Sequence, residues 1–326
     1  MKVLITGANG LLGHHVVMQL QKMYCDIKVL LRGNREIYFD LSNIELVIGN
    51  FTDYETLKKA SEACDAIIHI AALTSTNLLY YNDYSKINVD GSATIIKVAN
   101  EQNIKKIVFV STANTIGHGS LNNIADEFNH IDFPFSKSFY AQSKLEAEKL
   151  FIEASKMPDR HVIIINPTFM IGSHDTKPSS GKLILMGYKK RFNFVPSGGK
   201  NFVAVSDVAT AICNALTMGN NGHRYLASGV NLSFKEFYEL QSRVGGYNQK
   251  IIILPTFLLV MIAKIGDVIR LFGIKTEICS MNLNQLIVQE YYKNEKAVTQ
   301  LAMPQKPIHS AINEAINWFK DNGKIV

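Results

Sequence analysis

Lys2-Val3-Leu4-Ile5-Thr6-Gly7-Ala8-Asn9-Gly10-Leu11-Leu12-Gly13-His14-His15 decides how the rest of this chain is read. Aliphatic residues run straight into Gly7, and an apolar helical pattern (Leu11, Leu12, Val16, Val17, Leu20) opens behind Gly10, so the segment reads as strand, glycine turn, helix. Gly7 can take a backbone angle closed to other residues, and Gly10 has no side chain to keep a diphosphate off the helix start. Gly13 lets the helix lie close on the strand. Backbone N–H groups of the turn and the positive helix end then face an anion. An ordinary glycine turn is the competing reading. A strand directly before and a helix directly after favour dinucleotide binding, with Asn9, Leu11 and Leu12 completing the cradle.

Outward from this turn, residues 27–31, 45–49, 66–70, 107–110 and 161–165 are apolar runs of strand length, separated by helical patterns at 54–63, 85–102 and 139–155. Apolar strands alternating with helices imply a parallel sheet covered on both faces. After Asn166-Pro167 the composition changes. Residues 168–201 are rich in Gly and Pro, 202–218 reads as a short strand and a helix, 224–227 as a strand returning to the sheet, and the chain from 233 onward is mostly helical. The expected fold is α/β: a doubly wound parallel sheet (Rossmann) over residues 1–167, to which 202–228 returns, with a smaller, mainly helical substrate-binding lobe over 168–326.

The 326 residues, 47% of them hydrophobic, are enough for a large core. The net charge of +6 is dispersed, with one tight basic run at Lys189-Lys190-Arg191 that reads as a solvated loop, so no nucleic-acid partner is expected. Cys25, Cys64, Cys213 and Cys279 are far apart and fit neither a disulfide framework nor a metal site. His14 and His15 are neighbours on a helix and point in different directions, so they do not suggest a shared metal. The chain opens on a strand rather than a secretion signal, and a cytoplasmic location is expected. The longest apolar run, 251–272, is interrupted by Pro255, Lys264, Asp267 and Arg270. The three charges recur every third residue on one helix face, which implies an amphipathic helix packed on the rest of the chain, with no membrane span. Contact with a membrane surface, or dimerisation, is the lesser reading.

The chemistry centres on Tyr140-Ala141-Gln142-Ser143-Lys144, with Ser111-Thr112 at the end of the fifth strand. Four residues of separation put Tyr140 and Lys144 on one helix face, about 6 Å apart along the axis. A phenol with a pKa of about 10 is a poor proton carrier at neutral pH, and a neighbouring ammonium favours its ionised form. Tyr140 can then exchange a proton with a substrate oxygen, Lys144 can tune it and hold the cofactor ribose, and Thr112 can hydrogen-bond the same oxygen. For the bare spacing, a Tyr and a Lys that merely line a helix would be the better reading; the glycine turn reverses that.

With these residues in view the chain resembles the extended short-chain dehydrogenases/reductases of the NAD-dependent epimerase/dehydratase group, in particular the dihydroflavonol-reductase-like branch. The resemblance covers nearly the whole chain. It is carried by the 6–13 turn and by Tyr140 to Lys144, with support from Gly49 to Asp53, His69 to Ala72, Asn88 to Gly91, Val110 to Ala113, Asn166-Pro167 and Phe202 to Asp207. It implies Thr112, Tyr140 and Lys144 as the catalytic triad, Asn50 and Phe51 beside the adenine, Ala71 and Ala72 against the cofactor, and Asn88 and Asn166-Pro167 close by. Thr112 stands where the family more often has Ser. His69 reads as a core histidine, and Lys200 as a solvated lysine. The second strand ends in Arg32-Gly33-Asn34-Arg35 with no acid until Glu36. Arg32 suits the 2′-phosphate of NADP, with NAD as the alternative. The resemblance also implies a homodimer, formed by the helix near Tyr84 and the helix from Phe139.

The reading favoured is reduction of a carbonyl, or oxidation of a secondary alcohol, on a small, partly apolar substrate. Tyr80, Tyr81, Phe133, Phe135, Phe169 and Met170 are its expected pocket, and no cluster of arginines awaits a diphosphate. A sugar-nucleotide epimerase or dehydratase uses the same triad and is the runner-up. A cofactor-sensing protein without chemistry comes third, since it would not need Tyr140 and Lys144 together.

Overall fold

The computed structural model describes residues 1–33 and 37–326. Seven strands form one sheet in the order Arg224–Ala227, His161–Pro167, Lys106–Val110, Ala66–His69, Lys2–Thr6, Asp26–Leu31, Ile44–Ile48. Every adjacent pair runs parallel. From Lys2–Thr6 the chain builds outward to one edge, then crosses to Ala66–His69 and builds to the other. The connections beyond these two strands therefore diverge, opening the crevice in which doubly wound sheets bind ligands.

Alternation along the strands divides apolar side chains between the two faces. Val3 and Ile5 meet Val16, Leu20, Val208 and Ile212 beneath the helices Leu11–Lys22 and Val205–Asn214. Leu4 and Phe109 meet Leu57, Ile95 and Phe151 of the helices Tyr54–Ser61, Asp90–Glu101 and Phe139–Ala154 on the other face. A sheet covered twice needs apolar residues at every position, hence the unbroken runs in the sequence. Phe151 is fully buried and stacks on Phe109 at 4.2 Å between centroids, and truncating it to Ala would cost about 3–5 kcal/mol.

Three expectations are corrected. The helical pattern over 85–102 is two helices, Tyr81–Asn88 and Asp90–Glu101, meeting at Val89. The first starts earlier than its apolar periodicity because Tyr81 and Tyr84 pack on Phe139. Second, while Arg224–Ala227 joins the edge of the large sheet, Gly199–Ala204 does not. It pairs with Val230–Ser233, Phe169–Ile171 and Gln289–Glu290. Its alternation explains this: Val203 faces the core under the large sheet, whereas Phe202 and Ala204 face a separate core with Phe237, Ile312 and Phe319. Two small sheets thus accompany the helices of the C-terminal region, the second being Phe192–Val195 with Lys250–Ile253.

The third correction concerns Thr256–Leu271, which is a helix but an inverted one. Two of its charged side chains face the protein: Arg270 donates to the carbonyls of Leu78 at 2.8 Å and Thr276 at 3.1 Å, and Asp267 accepts from the Ser280 N–H at 2.9 Å, while Lys264 is exposed. Only Leu259, Ala263 and Gly266 are buried. Its apolar face lies outside, with Phe257, Met261, Ile265, Val268 and Leu271 exposed by 68, 56, 60, 52 and 85%. Hydrogen bonds from the Arg270 guanidinium to backbone carbonyls, together with the buried Leu259, Ala263 and Gly266, hold this helix on the protein.

Candidate functional site

The crevice is a cavity of about 750 Å³ that runs from the glycine turn to the helix Phe139–Ala154. Gly7 has φ +81°, and a Cβ there would lie 2.6 Å from the Ala71 backbone nitrogen, so only glycine fits where the first and fourth strands end side by side. At Gly13 a Cβ would lie 2.1 Å from the Gly7 carbonyl oxygen, which fixes how near the helix can approach. Gly10 offers this helix no side-chain cap, and no acid stands in its first turn. Leu11, Leu12 and Gly13 therefore bring uncapped amides and the positive helix end to the cavity wall. That arrangement fits the diphosphate of a dinucleotide.

Asn9, Gly10, Arg32, Phe51, Ala71 and Ala72 line the same part of the cavity. Arg32 directly follows the strand Asp26–Leu31 and is exposed. Arg35 and Glu36, which completed the cofactor reading of this turn, lie outside the described residues.

At the other end Thr112, Tyr140, Lys144 and Pro167 line the wall together. Ser138 starts the helix, its hydroxyl accepting from the Ala141 N–H at 3.4 Å, and so sets Tyr140 in the first turn above the end of the fifth strand. Burial pushes the Tyr140 phenol up to about 12, and the neighbouring Thr112 side chain works against this. Burial brings Lys144 down to about 7, with Glu148 pulling the other way. The ammonium of Lys144 donates to the Val110 carbonyl at 2.8 Å and sits 4.1 Å above the Phe109 ring. Burial thus dominates at the phenol, opposed by Thr112, and the fall expected from Lys144 is not seen there.

Three of the expected cofactor residues stand behind the wall. Asn88 is buried, accepts from the Leu73 N–H at 2.8 Å, and donates to Ser143 at 2.9 Å, tying the loop after the fourth strand to the helix of Tyr140. Asn166 donates to the Thr112 carbonyl at 3.1 Å and to Glu148 at 2.6 Å. Asn50 accepts from the Thr52 N–H at 3.3 Å within its own turn. Asn88 and Asn166 hold the loops that line the cavity rather than the cavity itself.

His69 is buried among Phe51, Phe109 and Phe151 and shares a hydrogen bond with Thr6 at 2.7 Å; burial lowers it to about 3, as suits a core histidine. His14 and His15 bond to the Gly10 and Ser173 carbonyls at 2.9 and 3.1 Å. Lys200 is not solvated: it is largely buried and paired with Glu290.

The expected aromatic pocket is mostly corrected. Met170 lines the cavity. Tyr80 and Phe133 are exposed, Phe135 is buried against His118, Tyr81 bonds to Glu146, and Phe169 packs on Phe202. The wall there is instead Leu73, Thr74, Thr168 and the turn carrying Asp175, Thr176 and Lys177. Sequence reading missed Asp175, a buried carboxylate that accepts from the Ser179 and Gly181 N–H groups at 2.9 and 2.8 Å. It also missed Glu148, although Tyr140, Lys144 and Glu148 continue one four-residue spacing.

Comparison with known proteins agrees with this geometry. The profile of the NAD dependent epimerase/dehydratase family matches residues 3–227. The chain is 26% identical to a putative dihydroflavonol 4-reductase of Synechocystis sp., over 98% of this chain and 95% of that protein. It is 27% identical to the dTDP-D-glucose 4,6-dehydratase of Mus musculus, over 69% and 67%. The crystal structure of gox2253 superposes with a TM-score of 0.86 at 26% identity, covering 99% of both chains.

Proposed function

The chain belongs to the NAD dependent epimerase/dehydratase family and is an NAD(P)-dependent enzyme, and from that premise we propose that it is an NADP-dependent oxidoreductase that reduces a carbonyl, or oxidises a secondary alcohol, on a small, partly apolar substrate. One observation carries the proposal: Thr112 and Tyr140 stand side by side on the wall of a cavity whose far end is the uncapped glycine turn. The amides of that turn hold the diphosphate, and Arg32 grips the 2′-phosphate of the adenosine. Lys144 holds the ribose next to the nicotinamide. The bound cofactor supplies the hydride in reduction and accepts it in oxidation. In reduction, Tyr140 gives its hydroxyl proton to the substrate oxygen while the Thr112 hydroxyl donates a hydrogen bond to it; oxidation reverses both.

Loss of NADPH absorbance on mixing with a panel of ketones and aldehydes tests this reading. Stoichiometric oxidation is expected, and turnover of a sugar nucleotide with no net change in cofactor would overturn it. That second outcome belongs to an epimerase or dehydratase, which the exposed Lys177 on the cavity wall and the dehydratase relative favour. Among the described residues lining the cavity Arg32 is the one guanidinium, which supports the reductase. The same reading has the enzyme in the cytoplasm as a homodimer paired through Tyr81–Asn88 and Phe139–Ala154, helices that already pack on one another. A monomer mass by light scattering at micromolar concentration would contradict the dimer.

A further inference from the structure

The helix Thr256–Leu271 and the turn after it carry an apolar surface that nothing in the fold covers. At 100° per residue, Phe257, Leu258, Met261, Ile262, Ile265, Val268, Ile269 and Phe272, all exposed, fall within an arc of about 140°. Ile274 and Ile278 extend the patch beyond the helix end and are about half exposed. Scattered apolar residues are ordinary on a surface, but a continuous stripe of them marks an interaction site.

The charges around the stripe select the occupant. Lys264, at the edge of the arc, and Lys275, beyond the helix end, are exposed. The two acids of the segment are engaged elsewhere: Asp267 accepts from the Ser280 N–H at 2.9 Å, and Glu277 pairs with Lys182 at 3.1 Å. Further along, no Asp or Glu occurs from residue 240 to 266 or from 176 to 206, spans that hold Arg243, Lys250, Lys189, Lys190 and Arg191 besides the paired Lys182. The basic run lies beside the strand Lys250–Ile253 that leads into the helix, since the Arg191 carbonyl accepts from the Lys250 N–H at 2.9 Å. Exposed Phe192 and Phe194 stand beside it. A two-fold contact with a second copy would set this basic, apolar face against itself with only Asp267 and Glu277, both already engaged, to answer it. An anionic bilayer surface supplies both an apolar layer and the opposite charge. No helix among the described residues is long and apolar enough to cross a membrane, so the helix would lie in the interface.

We propose that the apolar face of Thr256–Leu271 is a membrane-docking surface that seats the protein on anionic lipid. The helix, with the following helix Ser280–Ile287, is fixed to the loop that leads into the cavity: Arg270 donates to the Asn77 and Leu78 carbonyls and Asn282 to the Thr76 carbonyl, next to Leu73 and Thr74 of the wall. Docking would therefore hold the cavity entrance near the lipid. The docking stands independently of the proposed reaction.

Co-sedimentation of the full chain with vesicles tests it, without reference to turnover. Vesicles of equal parts phosphatidylcholine and phosphatidylglycerol should bind the protein more tightly than vesicles of phosphatidylcholine alone, and added salt should weaken binding to the former. Ile265→Glu with Phe272→Glu, both at exposed positions, should lower the partition coefficient by about tenfold or more, while Tyr24→Glu, exposed by 95% elsewhere, should leave it unchanged. Light scattering should give wild type and the double variant the same mass. No binding of the wild type to the mixed vesicles, or equal binding by the double variant, overturns the proposal. So does a halved mass in the double variant, which would assign the face to a second copy of the chain.

Discussion

Asn166 donates to Glu148 at 2.6 Å and, through the same side-chain nitrogen, to the Thr112 carbonyl at 3.1 Å. One amide thus fastens the end of the sixth strand to both the turn that carries Thr112 and the helix that carries Tyr140 and Lys144. Glu148 is buried, one turn beyond Lys144, with the Arg224 guanidinium 3.8 Å away and the Thr115 hydroxyl donating to it at 2.5 Å.

Glu148 is the charge that opposes the effect of burial on Lys144. Glu148→Gln removes it, so Lys144 should lose its proton at lower pH than in the wild type. NADPH affinity followed against pH should show its alkaline limb, set by Lys144, displaced toward acid in the variant. An unmoved limb would show that Lys144 does not report on Glu148.

Lys144 also makes stability depend on pH. Its folded pKa, about 7, is depressed from 10.5, so between those values the unfolded chain binds more protons than the folded one, and stability rises with pH across the window. Lys144→Met should flatten that rise and lower turnover. Urea midpoints at about pH 7 and about pH 9.5 measure it; equal slopes in the two proteins would exclude Lys144 as the source.

Tyr140→Phe keeps the ring and removes the proton. NADPH binding should stay within a few fold of wild type while kcat falls by about two to four orders of magnitude. Retained turnover would move the proton donor elsewhere.

Arg32 is expected to select the cofactor. NADPH should bind at least about tenfold tighter than NADH, or about 1.4 kcal/mol, and Arg32→Asp should narrow or invert the ratio without changing the chemistry at Tyr140. Equal affinities in the wild type return NAD to first place.

Gly10 and Gly13 separate binding from folding. A Cβ at Gly10 would meet the Gly7 carbonyl oxygen at an ordinary 3.5 Å, whereas at Gly13 it would overlap that oxygen at 2.1 Å. Gly10→Ala should keep its Tm and lose dinucleotide affinity by crowding the diphosphate. Gly13→Ala should lose both, with a stability cost of about 1–3 kcal/mol. Calorimetry and NADPH titration of the two variants distinguish these effects.

The large sheet was legible because all its strands but the exposed edge strand Ile44–Ile48 are almost wholly buried, and such strands announce themselves as apolar runs in any register. The turn at Gly7 and the Tyr140-to-Lys144 spacing were legible because short-range geometry governs them. The substrate side was not. Phe135, Phe169 and Tyr81 have the composition of a pocket, yet each is satisfied by a neighbour distant in sequence: His118, Phe202 and Glu146. The positioning roles of Asn88 and Asn166 were hidden for the same reason, since a side-chain amide behind a wall and one in it leave the same letter in the chain. The directions of the Tyr140 and Lys144 pKa values follow from how deeply each is buried, which spacing does not encode.

In the helix Thr256–Leu271 the usual map of mutational tolerance runs backwards. Substituting serine for Ile265 or Val268 on its outer face removes little packing, so a stability screen would score the most apolar positions as permissive. The intolerant sites would be Arg270, with its carbonyl partners, and Gly266, where a Cβ would lie 1.6 Å from the Ile278 carbonyl oxygen. A solubility screen on the same variants would favour the polar ones at the outer positions. An engineer who followed either screen would erase the apolar face while recording only improvements.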